Sequence, residues 1–134
     1  MTRRAPKRRQ AHNSKRTAVQ QVLRQDFSLT KIELLCSEIA REFRPNRIVL
    51  FGSHSYGDSR PDSDIDLLVV MPFEGSPFRQ AAAILGHLVR TVGIIPLDLL
   101  VRTAQQVQER IQMGDSFMQE IIERGRVMYE ADHP

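Results

Sequence analysis

A single cysteine, Cys36, leaves no material for a disulfide framework or a cysteine-rich metal site. It points to a reducing setting, so a cytoplasmic location is expected. No apolar run approaches the roughly 20 residues that a bilayer-spanning helix needs, and no membrane association is expected. The opening residues lack the apolar core of a secretory signal, and Arg3-Arg4 does not read as a twin-arginine export signal. They are also too poor in apolar residues for a transit peptide. No internal repeat is present. The 134 residues leave room for one domain, and 41% hydrophobic with 26% charged residues is the mix of an ordinary globule.

The net charge of +3 conceals a division. Residues 1–26 carry eight Lys and Arg against one acid, Asp26, a net +7. Residues 27–134 carry eleven bases and fifteen acids, a net −4. The basic segment has no apolar periodicity and too little to bury to offset its ordering entropy, so residues 1–26 are expected to be a disordered tail. Such a tail is either a solvated extension or an electrostatic anchor for nucleic acid. Residues 27–134 are expected to form the folded domain.

Within that domain, Thr30 and Glu33 have the spacing of a capping box, and Ile32, Leu35, Ile39 and Phe43 recur at helical intervals. Pro45 stops this helix. Arg47–Phe51 reads as a β-branched strand broken by Gly52. A loop or short helix is expected over 52–63, followed by a buried strand at Ile65–Val70. Ser76-Pro77 opens a helix whose apolar face is Ala81, Ile84, Leu85, Leu88 and Val92. A third strand is predicted at Leu97–Val101. Thr103 with Gln106 caps the next helix, which carries Val107 and Ile111. A last helix is predicted from Asp115 to Gly125, with Phe117, Ile121 and Ile122 inward, and an edge strand at Arg126–Tyr129.

Three features could carry chemistry. Gly52-Ser53 follows a strand directly, where glycine lets the backbone approach a ligand and its N–H and the serine hydroxyl can donate to phosphate oxygens. Alone, this is more often just a turn. Asp64-Ile65-Asp66 places two carboxylates on one side of a strand entry; like charges so close repel, and a hard divalent cation, Mg²⁺ or Mn²⁺, would relieve the conflict. A water-exposed strand entry explains the pair equally well. Asp98 lies within a strand, where an unpaired buried charge is costly and calls for a cation or a salt bridge. Arg60, in the intervening loop, is a candidate for a phosphate or pyrophosphate oxygen, or a solvated loop charge. His54, beside Ser53, is not needed by a metal mechanism, Tyr56 and Gly57 shape the loop, and His87 and Cys36 read as structural.

Taken together, Gly52-Ser53, ten residues, Asp64-x-Asp66 and a later strand aspartate resemble the nucleotidyltransferase superfamily related to DNA polymerase beta. The run GSHSYGDSRPDSDIDLLVV is most similar to the minimal nucleotidyltransferases, and the resemblance covers roughly residues 32–130. It implies an α+β fold, a mixed sheet with flanking helices in an α/β sandwich. It also implies a Mg²⁺-dependent enzyme moving a nucleoside monophosphate, AMP from ATP, onto a hydroxyl. By that resemblance Gly52 and Ser53 contact the triphosphate. Asp64 and Asp66 hold two Mg²⁺ ions, and Asp98 completes the site of the ion beside the attacking hydroxyl. Minimal nucleotidyltransferases are commonly paired with a HEPN-domain toxin, act as its antitoxin, and modify a toxin tyrosine with AMP. The resemblance therefore implies a HEPN-type toxin partner in a hetero-oligomer. Self-association, a purely binding antitoxin, and a transferase acting on an RNA end or a small molecule are the alternatives.

Overall fold

The computed structural model of the chain describes residues 29–57 and 63–132. The expected basic tail, residues 1–26, lies outside the described residues, as does Arg60. Contacts gather into one compact unit from Ile32 onward.

The described elements are α1 (residues 29–43), β1 (Arg47–Phe51), α2 (Ser53–Tyr56), β2 (Ile65–Val70), α3 (Pro77–Thr91), β3 (Leu97–Arg102), α4 (Ala104–Gln112), α5 (Ser116–Arg124) and β4 (Arg126–Glu130). The strands form one sheet in the order β3-β2-β1-β4. β1 pairs antiparallel with both β2 and β4, while β2 and β3 run parallel, joined through the crossover helix α3. The sheet is therefore mixed, as expected, and the fold is α+β.

Alternation along the strands divides the core into two layers. Ile48, Leu50, Ile65, Leu67, Val69 and Val101 face one side, where Ile32, Leu35 and Ile39 of α1 and Ile84 and Leu88 of α3 cover them. Val49, Phe51, Leu68 and Val70 face the other, against Val107 of α4 and Met118 and Ile121 of α5. β2 is central and buried on both faces, which is why its sequence is continuously apolar after Asp66. Among the described residues, no helix is long and apolar enough to cross a membrane.

Local chemistry sets the element ends. Ser76 accepts from the N–H groups of Phe78 and Arg79 at the start of α3, with Pro77 in the first turn. Thr103 and Gln106 form a reciprocal capping box on α4, at 3.1 and 3.0 Å. Asp115 caps α5 by accepting from the Met118 N–H. At Gly125 a side chain would collide with the Ile121 carbonyl and Val49, so only glycine lets the chain turn there into β4.

Three expectations are corrected. Leu29 and Thr30 are already helical, so Thr30 lies inside α1 and does not cap it. Phe117 is 54% exposed instead of facing inward. The Asp115 cap sets the phase of α5 so that Met118 and Ile121 reach the sheet, and Phe117 meets only the edge of the Phe51 ring, at a centroid distance of 5.8 Å. Asp98 is exposed, because β3 is an edge strand. A desolvated charge is thus not what calls for a cation there.

Leu67 has no exposed surface at the centre of β2. Leu67→Ala should lower unfolding free energy by about 2–5 kcal/mol, from lost transfer energy plus a residual cavity. Val89→Ala, at a half-exposed site on α3, should stay within ~0.5 kcal/mol. Urea unfolding of both variants checks the pair.

Candidate active site

The three aspartates meet where β1 ends and β2 and β3 begin. Across the parallel pair Asp66 and Asp98 are register partners. Both share the face of Leu68 and Leu100, which belongs to the core layer under α4 and α5. Parallel strands lie about 4.8 Å apart, so these carboxylates project side by side. Asp64 immediately precedes β2 and is exposed, and Asp66 is half-buried. On its other side Asp66 is paired with Phe51 of β1. The row across the sheet is thus Phe51, Asp66, Asp98.

Charge confirms the proximity. Burial, then the neighbouring Asp98 and Asp64, push the Asp66 carboxyl above its ordinary value, and His54 pulls it back. Four titratable side chains therefore share one small volume.

Gly52 belongs to the same site. Its backbone lies at φ 74° and ψ −159°, a region almost restricted to glycine. A side chain there would overlap the Oδ2 atom of Asp66. The absence of a Cβ thus lets the central carboxylate lie directly against the Gly52 backbone. From Gly52 the chain enters α2, whose first N–H groups have no partner within the helix, and Ser53 is its first residue.

Two contacts at this site had no signal in the spacing of the motif. His54 Nε2 donates to the Ser63 carbonyl at 3.1 Å. The Arg124 guanidinium lies 4.5 Å above the Tyr56 ring, tying α2 to the end of α5. Both contacts join residues distant in sequence, and neither side chain carries a pattern of its own.

The remaining titratable clusters lie elsewhere. Glu38, Glu42 and His87 have ligand-type atoms within 4.8 Å of one another, but the Arg41 guanidinium already binds both glutamates. His87 Nε2 bonds Glu38 at 2.6 Å and its ring stands edge-on to Phe43, so it joins α3 to α1, the structural role expected of it. Burial and the nearby Glu33 charge push the Cys36 thiol up to about 12, leaving it inert. An open groove of about 750 Å³ lined by Val70, Val107, Ile111 and Ile122 lies at the opposite end of the strands, bordered by the Arg47–Glu130 ion pair. It contains none of the three aspartates.

The candidate site is thus a cluster of carboxylates beside a glycine turn, on a mixed sheet between two helical layers. The nucleotidyltransferase domain family matches residues 32–128, and the chain belongs to it. It is an enzyme of that class, a nucleotidyltransferase. A candidate protein adenylyltransferase of Methanocaldococcus jannaschii is 30% identical over 86 residues, covering 64% of this chain and 80% of that protein. The crystal structure of a candidate nucleotidyltransferase from Sulfolobus solfataricus has the same fold, at a TM-score of 0.57 and 19% identity, covering 84% of this chain and 88% of that one. A toxin–antitoxin structure with AMP-PNP aligns at a TM-score of 0.47 and 19% identity over 75% of this chain and 74% of that one, too loosely to bear on function.

Two predictions follow from the crowding of charge. A carboxyl with a raised folded-state pKa binds more protons folded than unfolded between its two values, so stability falls as pH rises through that window. Asp66→Asn should raise the melting temperature of the metal-free protein at neutral pH. The advantage should vanish below the ordinary value of 3.8, where Asp66 is protonated in both states. Melting curves across that range check the sign. Gly52→Ala should cost on the order of 1–3 kcal/mol from backbone strain alone, and should also reduce transferase activity by displacing the Asp66 carboxylate. Denaturant unfolding together with a turnover assay separates the two effects.

Proposed function

We propose that this nucleotidyltransferase moves AMP from ATP onto a hydroxyl of a partner protein, in a Mg²⁺-dependent reaction at Asp64, Asp66 and Asp98. The observation that carries this reading is the register pairing of Asp66 with Asp98, with Asp64 and Gly52 against the same carboxylate. Three carboxylates supply hard oxygen donors of the kind Mg²⁺ prefers, and the missing side chain at Gly52 lets the Asp66 carboxylate lie against the turn. The donor set therefore fits divalent ions: Asp64 and Asp66 would hold both, and Asp98 would complete the site of one.

The chemistry such ions supply when bound is activation of the attacking hydroxyl and neutralisation of the departing pyrophosphate. The chain's own contribution is placement, on which phosphoryl transfer chiefly depends. Gly52 and Ser53 receive the triphosphate through backbone N–H groups and a hydroxyl. Arg60 is a further contact for a phosphate oxygen. The acceptor oxygen bonds to the α-phosphorus as the bond to the pyrophosphate oxygen breaks, and the hydroxyl proton passes to solvent water beside Asp98.

A protein acceptor is favoured by the relative named as a candidate protein adenylyltransferase, most of whose length is matched. The motif's resemblance to minimal nucleotidyltransferases makes that acceptor a tyrosine of a HEPN-type toxin, with this chain as its antitoxin. A second reading, transfer to an RNA end, rests on the eight bases of residues 1–26. Its signature is binding that weakens steeply with salt and disappears when that segment is deleted.

Incubation with ATP labelled in the α-phosphate and Mg²⁺, with a HEPN-type toxin or RNA as acceptor, distinguishes these readings. Label should appear on the toxin. It should be lost in Asp66→Ala, while the circular dichroism spectrum is retained. Turnover surviving in Asp66→Ala would refute the site assignment. A tight complex without label would make the chain a binder only.

A further inference from the structure

We propose that His54 is a positioning residue that holds the backbone of Asp64 in place, so that Asp64 and Asp66 can share one divalent-cation site. The inference deepens the reading above and rests on it.

Asp64 is exposed and lies just outside β2, so the sheet's own ladder does not fix it. Yet both of its neighbours are held. The Ile65 N–H donates to the Pro96 carbonyl at 2.9 Å, which ties the strand entry to the segment leading into β3 and Asp98. The Ser63 carbonyl accepts from His54 Nε2 at 3.1 Å, across nine positions of sequence. A carbonyl oxygen can only accept, so Nε2 must carry the proton. His54 itself stands on α2, directly after the glycine that touches Asp66. The two bonds bracket Asp64 from opposite sides, one reaching back to the Gly52 turn and the other across to β3. His54 is half-buried, and its influence on the Asp66 carboxyl places the ring beside the acids it organises.

The physical need is specific. A carboxylate in solvent beside two others of the same sign is driven away from them. Release of the Ser63 carbonyl would let Asp64 swing outward, at a cost to cation binding more than to chemistry. Outer-shell partners of metal ligands typically account for about 10–100-fold in metal affinity. An amide N–H can replace the imidazole N–H as donor to a carbonyl, whereas alanine cannot.

Mn²⁺ binding to the full chain, followed by electron paramagnetic resonance, tests this without reference to turnover. The native protein should bind Mn²⁺, and Asp66→Asn should not. His54→Ala should weaken Mn²⁺ binding by about tenfold, and His54→Gln should recover most of the loss. In the transfer assay, His54→Ala should raise the Mn²⁺ concentration needed for half-maximal rate and leave kcat at saturating Mn²⁺ within about threefold. Thermal melts of the metal-free variants identify any that fail to fold, and His54→Gln carries the test if alanine does. Native-like Mn²⁺ affinity in His54→Ala overturns the proposal. So does a fall in kcat that saturating Mn²⁺ leaves in place, which would make His54 a catalytic proton carrier. Absence of Mn²⁺ binding by the native protein defeats the metal reading itself, a separate outcome.

Discussion

Everything at the functional end of this molecule depends on one alignment, the parallel pairing that sets Asp66 beside Asp98. Like charges on adjacent strands are unfavourable, and here a third, Asp64, stands close by. Burial of Asp66 among them raises the cost, as its elevated pKa records. A stable fold has no use for such an arrangement. It is tolerated because the β1–β2–β3 core beneath it is well packed on both faces and can absorb local repulsion.

The sheet topology explains why these residues can meet at all. β1 runs antiparallel to β2, so its end, with Gly52 and Ser53, lies beside the start of β2. The crossover through α3 returns the chain parallel to β2, which brings the start of β3 to that same end. Glycine turn, paired acids and third acid thus converge from three strand termini, none neighbours in sequence. α2 is then pinned on two sides, by His54 toward β2 and by Tyr56 beneath Arg124 of α5.

Much of this was legible in the chain. β1 and β2 have the predicted bounds, because β-branched runs closed by Gly52 and Pro72 admit little else. The caps at Ser76 and Thr103 are local chemistry and appear as expected. The errors share another origin. Thr30 with Glu33 has the spacing of a cap, but the helix extends beyond it. Phe117 has the period of an inward residue, but the phase of α5 turns Met118 and Ile121 to the sheet and leaves Phe117 exposed. Asp98 was expected to be buried, and the edge position of β3 leaves it exposed. Periodicity along one element does not encode where its neighbour ends.

The spacing of Gly52-Ser53 and Asp64-x-Asp66 and the family it resembles are properties of nearby residues and needed no fold. That Asp98 shares the face of Asp66, that Gly52 leaves room for the Asp66 carboxylate, and that His54 reaches the carbonyl before Asp64 are matters of register and approach between separate segments. Local patterns follow from backbone stereochemistry, which acts over a few residues. Coincidence of three strand ends follows from how two hydrophobic faces pack around one sheet, and that is decided only when the whole chain is assembled.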